Sequence, residues 1–140
     1  MKQIPVIFWT GTGNTQMMAD AIAEAINAAG AEAVVKNVSE ISADEAAGYD
    51  ALALGCPAMG AEVLEECEFE PFFTELEDKL AGKKVALFGS YGWGGTYMQD
   101  WEARVKAAGA ELVAEGVLAL GAPDDEAMAK LAEAGKLLAE

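Results

Sequence analysis

Histidine is absent from this chain of 140 residues, and lysine and arginine together number 9 against 24 acidic residues. Without histidine the commonest general acid–base group and metal ligand is missing, so hydrolytic triads and zinc catalysis lack their usual carrier. Cysteine is nearly as scarce. Cys56 and Cys67 show no zinc or iron–sulfur spacing, which argues against a metal cluster or a disulfide framework. No apolar run is long enough to cross a bilayer, and the amino terminus leads straight into a short apolar strand rather than a secretory leader. A cytoplasmic location with no membrane contact is the expectation. A formal net charge of −15 repels nucleic-acid phosphates and anionic lipid, leaving basic protein surfaces as the favoured partners and a monomer as the favoured state. The length suits one domain, residues 1–140.

What the chain does have is an alternation of short apolar runs with segments of helical period. Val6 to Trp9, Ala31 to Asn37, Ala51 to Gly55, Lys84 to Tyr91 and Glu111 to Leu120 read as strands. Continuous apolarity in Val6-Ile7-Phe8-Trp9 and Val85-Ala86-Leu87-Phe88 marks strands covered on both faces, as in a parallel sheet. Pro5 is expected at the first residue of its strand, because it has no N–H for a ladder. The first helix carries Met18, Ile22, Ala25, Ile26 and Ala29 on one face, and a short second one starts near Ser42 with Glu45 three residues on. Phe69, Phe72, Phe73, Leu76 and Leu80 outline the third, and Tyr97, Trp101, Val105 and Ala108 the fourth. Met128, Leu131, Ala132 and Leu138 outline the last, after Pro123-Asp124. Right-handed crossovers turn this order into a doubly wound α/β sheet of five parallel strands with helices on both faces, and ligands bind at the carboxyl ends of such strands.

Three loops fall at those ends. The first, Thr10-Gly11-Thr12-Gly13-Asn14-Thr15, joins a strand to a helix with hydroxyls, amides and glycines but no charge. Backbone amides at the positive end of a helix dipole suit a phosphate, held by position and hydrogen bonds instead of cations. No Lys or Arg lies between Lys2 and Lys36, so a triphosphate loop is excluded, and Gln16 stands where a dinucleotide fingerprint needs its third glycine. The second and third loops, Cys56 to Glu62 and Ser90 to Gly95, each set one large polarizable side chain, Met59 or Trp93, among small residues. That pair suits the two faces of a planar heterocycle.

Together Thr10 to Thr15, Ala58-Met59-Gly60 and Gly89-Ser90-Tyr91-Gly92-Trp93-Gly94 resemble the three flavin-binding loops of flavodoxins, most nearly the short-chain type of anaerobic bacteria. The resemblance covers nearly the whole chain and implies the flavodoxin-like strand order 2-1-3-4-5. It implies a low-potential electron carrier, not an enzyme, that shuttles single electrons on one non-covalent FMN. The phosphate would be held by Thr10, Thr12, Asn14, Thr15 and Ser90 with the amides of Gly11 and Gly13. The ring would lie between Met59 and Trp93, bordered by Trp9 and Tyr91, with Gly92 and Trp93 amides and the Glu62 carboxylate on its polar edge. Pro57 stands where some relatives have a serine, and Ala61 where some have an acidic residue. Glu62, Glu65, Glu66, Glu68 and Glu70 would steer the carrier toward basic patches on iron–sulfur or flavin oxidoreductases.

The alternative is an FMN-dependent quinone or nitro reductase on the same fold. It needs a ring face open to a hydride donor, which Met59 and Trp93 would both cover. A receiver domain needs an aspartate where Gly55-Cys56 ends strand three, and a Cys-x5-Arg phosphatase needs arginine where Glu62 stands.

The resemblance also implies that the Gly60–Ala61 peptide turns over on one-electron reduction, which a Cβ at position 60 would resist. A hydrogen bond is worth about 1 kcal/mol net, and about 1.4 kcal/mol corresponds to about 59 mV for one electron. Gly60→Ala therefore lowers the first one-electron potential by tens of millivolts in a redox titration; an unaltered first potential contradicts the flip.

Overall fold

The structure is a computed structural model that describes residues 2–9, 13–57, 68–91, 97–120 and 123–139. The elements run β1 (Gln3–Phe8), α1 (Asn14–Ala28), β2 (Glu32–Asn37), a 3-10 turn (Val38–Glu40), α2 (Ala43–Ala46), β3 (Ala51–Gly55), α3 (Phe69–Glu77), β4 (Lys84–Tyr91), α4 (Tyr97–Ala107), β5 (Glu111–Leu112), β6 (Val117–Leu120) and α5 (Asp125–Ala139). All strand pairs are parallel, in the order β2-β1-β3-β4-β5, with β6 also paired to β4. The expected order is thus observed.

Alternate residues of the central strands feed opposite cores, which is why their apolarity is continuous. Ile7, Leu52, Leu54, Val85 and Leu87 pack toward α2, α3 and α4. Val6, Phe8, Ala51, Ala53, Ala86 and Phe88 pack toward α1 and α5. β3 is buried along its whole length and alternates small alanines on the α1–α5 side with leucines on the other.

Three details depart from the sequence reading. Pro5 is the third residue of β1, not the first. The Lys2 carbonyl accepts from Glu32 on the β2 side, whereas the Trp9 amide donates to Gly55 on the β3 side. Pro5 shares the parity of Trp9, so its missing N–H faces β3, and the β1–β3 pairs begin only at Val6↔Ala53. The expected fifth strand is broken in two. Leu112 pairs with Val85 and Val117 with Phe88, so residues 113–116 oppose only Ala86 and Leu87. In the break the Gly116 amide donates to Glu102 Oε2 of α4 at 2.6 Å, and the Met98 thioether fills the space a Cβ at 116 would need. Finally, Ala29, Met128 and Ala132 are exposed, while Ala19 and Ala23 of α1 and Ala127 and Ala134 of α5 are buried. The α1–α5 contact is close enough to favour alanine and glycine: a Cβ on Gly135 would lie 2.8 Å from that of Ala25.

Local capping follows the residues closely. Ser42 Oγ accepts from the Glu45 amide at 3.1 Å, as expected, and Asp124 Oδ1 accepts from Ala127 at 2.8 Å to start α5. Between α3 and α4 the core is aromatic, with the Trp101 ring edge-on to Phe69 and Phe73 at 5.4 and 5.9 Å.

Arg104 of α4 clasps α3 beside that core. Its guanidinium donates to both Glu70 oxygens at 2.7 and 2.9 Å and to both Glu77 oxygens at 3.1 Å, and lies 4.7 Å from the Phe73 ring centre. Those bonds, chiefly from Glu70, raise the pKa of Arg104. The same contact to Arg104 holds the Glu70 carboxyl below its ordinary value, against partial burial and with help from Thr74. A depressed carboxylate stabilises the fold fully above its unfolded pKa, and the contribution disappears as pH falls through the folded value. Glu70→Gln should therefore cost about 1 kcal/mol at neutral pH, the half-exposed setting limiting the size. In urea titrations across pH the gap to wild type closes on acidification; a gap constant with pH contradicts this role.

Candidate functional site

β1, β3 and β4 are neighbours, so their carboxyl ends bring three chain segments to one edge of the sheet. Trp9, Gly13, Asn14, Thr15, Pro57, Ser90 and the backbone of Tyr91 are described there. Thr10, Gly11, Thr12, Ala58, Met59, Gly60, Ala61, Glu62, Gly92 and Trp93 lie outside the described residues, as do Glu65, Glu66 and Cys67.

The described part of the first segment has features that suit an anion. Gly13 precedes α1 with φ 92°, a left-handed conformation that suits glycine, which as the N-cap residue brings no side chain of its own to the helix start. No acidic residue occupies the first turn of α1, so its leading amides keep their positive end. Thr15 is 1% exposed and Ser90 6%, and besides Tyr97 they are the only buried hydroxyl-bearing residues among those described. Their hydroxyl oxygens lie 3.2 Å apart, joining the start of α1 to the end of β4. Two hydroxyls share one hydrogen bond, so one O–H remains able to donate to a further acceptor. Neutral donors thus converge where no cation is supplied by the chain between Lys2 and Lys36.

Two further contacts join at this edge that the sequence reading did not assign. The Trp9 indole Nε1 donates to Glu68 Oε1 at 3.2 Å, tying the end of β1 to the residue before α3. The Tyr97 hydroxyl donates to the Cys56 carbonyl at 2.8 Å, linking the start of α4 to the chain just after β3. Tyr97 was legible only as part of a helix face, and nothing in a single sequence announces which backbone carbonyl its phenol meets. Among the acidic residues offered for steering, Glu70 is committed to Arg104. It is therefore a structural carboxylate. Cys56 is wholly buried, as expected of a small apolar residue. A surface cavity of about 510 Å³ lies elsewhere, between α4 and the β5–β6 break, and contains none of the expected site residues.

The flavodoxin family model matches residues 6–135. A flavodoxin of Clostridium beijerinckii is 48% identical over 135 residues, covering 96% of this chain and 97% of its own. One from Megasphaera elsdenii is 46% identical over 116 residues, covering 82% and 85%. The solution structure of two-electron reduced Megasphaera elsdenii flavodoxin superposes with a TM-score of 0.90 at 42% identity, over 97% of this chain and 98% of that one. A rubredoxin:oxygen oxidoreductase from Desulfovibrio gigas shares the fold alone, with a TM-score of 0.88 at 15% identity. Flavodoxins bind FMN and pass electrons to redox partners, and the near relatives are electron-transfer proteins rather than enzymes. Among the described residues no helix is long and apolar enough to cross a membrane.

Thr15→Val leaves the buried Ser90 hydroxyl without its partner and should cost about 1–2 kcal/mol in urea unfolding, whereas Thr15→Val with Ser90→Ala recovers part of that loss. Strictly additive costs would mean that the two hydroxyls do not interact.

Proposed function

The chain belongs to the flavodoxin family of FMN-binding electron carriers, and from that premise we propose that it is a low-potential carrier moving single electrons between redox proteins. The observation that carries this reading is the buried Thr15–Ser90 pair at the start of α1, whose first turn holds no acidic residue, a neutral arrangement of the kind a phosphate monoester needs. Thr10, Thr12, Asn14, Thr15 and Ser90, with the amides of Gly11 and Gly13, bind the FMN phosphate. Met59 and Trp93 orient the ring and exclude water from its faces. Trp9 and Tyr91 border it, and the Pro57 to Ala61 segment, Glu62, Gly92 and the Trp93 amide meet its polar edge. When bound, FMN supplies reversible acceptance and release of electrons one at a time.

The chain's own charge sets the direction of the potential. With a formal net charge of −15, the protein opposes added negative charge at the site. One carboxylate about 10 Å away costs roughly 1–2 kcal/mol at an effective dielectric near 20, and salt screens the exposed ones. Exposed carboxylates such as Glu68 favour transient encounter with basic patches on iron–sulfur or flavin oxidoreductases. The reading includes one domain over residues 1–140 and a cytoplasmic monomer; like-charge repulsion supports the monomer.

Spectroelectrochemical titration of the FMN-loaded chain tests it. Two separated one-electron steps are expected, the lower of which rises as salt screens the acidic surface. A single two-electron step removes the carrier reading, and a lower step indifferent to salt transfers the credit from charge to desolvation.

A further inference from the structure

The Tyr97–Cys56 hydrogen bond lies in the core, with Tyr97 2% exposed and Cys56 0%. Cys56 follows β3 directly and begins the second loop, while Tyr97 opens α4 directly after the third loop, which starts at Ser90. Its hydroxyl therefore spans the roots of both. Phenylalanine would fill nearly the same volume, and a phenol in apolar surroundings is costly unless bonded, so packing alone does not account for the oxygen. Gly89 is the third part of the device. A Cβ there would collide with both the Cys56 carbonyl oxygen and the Tyr97 hydroxyl, so this bond can be made only across a glycine. The Cys56 amide in turn donates to the Phe88 carbonyl at 3.1 Å, which fixes the acceptor peptide against β4.

We propose that Tyr97 is a positioning residue: its bond to the Cys56 carbonyl, seated on Gly89, sets the separation of the roots of the second and third loops, between which the flavin ring would bind. This rests on the reading that those two loops flank the ring. Binding must order the groups it closes on, and a fixed separation of the loop roots removes part of that cost. The phosphate end is assigned to a different pair, Thr15 and Ser90, whose mutual hydrogen bond does not involve Tyr97.

The test compares flavin-free wild type and Tyr97→Phe, both full length, for affinity toward FMN and toward riboflavin, which has the ring but no phosphate. Loss of one hydrogen bond's worth of pre-organisation raises both dissociation constants by the same factor, about fivefold. Riboflavin affinity unchanged in a folded variant, or a loss confined to FMN, overturns the proposal. Trp93→Ala tests the premise separately: if it leaves riboflavin binding intact, the ring does not lie between these loops and the proposal falls with that reading, whatever Tyr97→Phe does. A measurement on wild type covers the case of a variant that does not fold. Because coupling is reciprocal, the Tyr97 hydroxyl proton should exchange with solvent more slowly with riboflavin bound than without. Equal exchange in the two states overturns the proposal.

Discussion

Burial of β1, β3 and β4 on both faces is the constraint from which the rest of the molecule follows. An interior ladder cannot trade its hydrogen bonds for water, so the three strands pair with one another, in parallel, with helices on either side. Their carboxyl ends then stop at a common edge, and every segment that leaves the sheet there inherits a fixed origin. The Trp9 amide on Gly55 and the Cys56 amide on Phe88 extend the ladder by one residue into the loops themselves. The described part of the site continues the sheet's hydrogen bonding.

At that edge the chain solves an electrostatic problem without cations. A strongly acidic protein that presented lysine or arginine to an anion would tend to pair them with its own carboxylates, as Arg104 does with Glu70 and Glu77. Helix amides and buried hydroxyls are not neutralised in this way. The acid-free first turn of α1 and the Thr15–Ser90 pair are donors of this kind.

Much of this was legible in the residues. β3 and β4 fall where their apolar runs end, and the Ser42 and Asp124 caps sit where side-chain chemistry demands them. Uniform apolarity does not reveal how long a strand stays paired, however. Ala114-Glu115-Gly116 interrupts the last run with two residues poorly suited to a buried strand, and the chain leaves the sheet there. Met128 stays exposed because the tight α1–α5 contact selects small residues, and α5 meets it with Ala127, Ala134 and Gly135. The acidic run from Glu62 to Glu70 reads as a single face by composition, yet tertiary contact separates Glu70 from it. In the site, residue types and order pointed to a phosphate and a flat ring. The Tyr97 and Glu68 contacts depend on which elements meet in space, which no local pattern specifies.

The central claim, an anionic cofactor tail held by neutral donors, is most directly tested by titrating wild-type flavin-free protein with FMN and with riboflavin while following flavin fluorescence. Charge-assisted hydrogen bonds of about 1.5–3 kcal/mol each predict that FMN binds at least about a hundredfold more tightly, with one equivalent quenched at saturation. Equal affinity for the two flavins, or FMN fluorescence that persists with protein in excess, would contradict it.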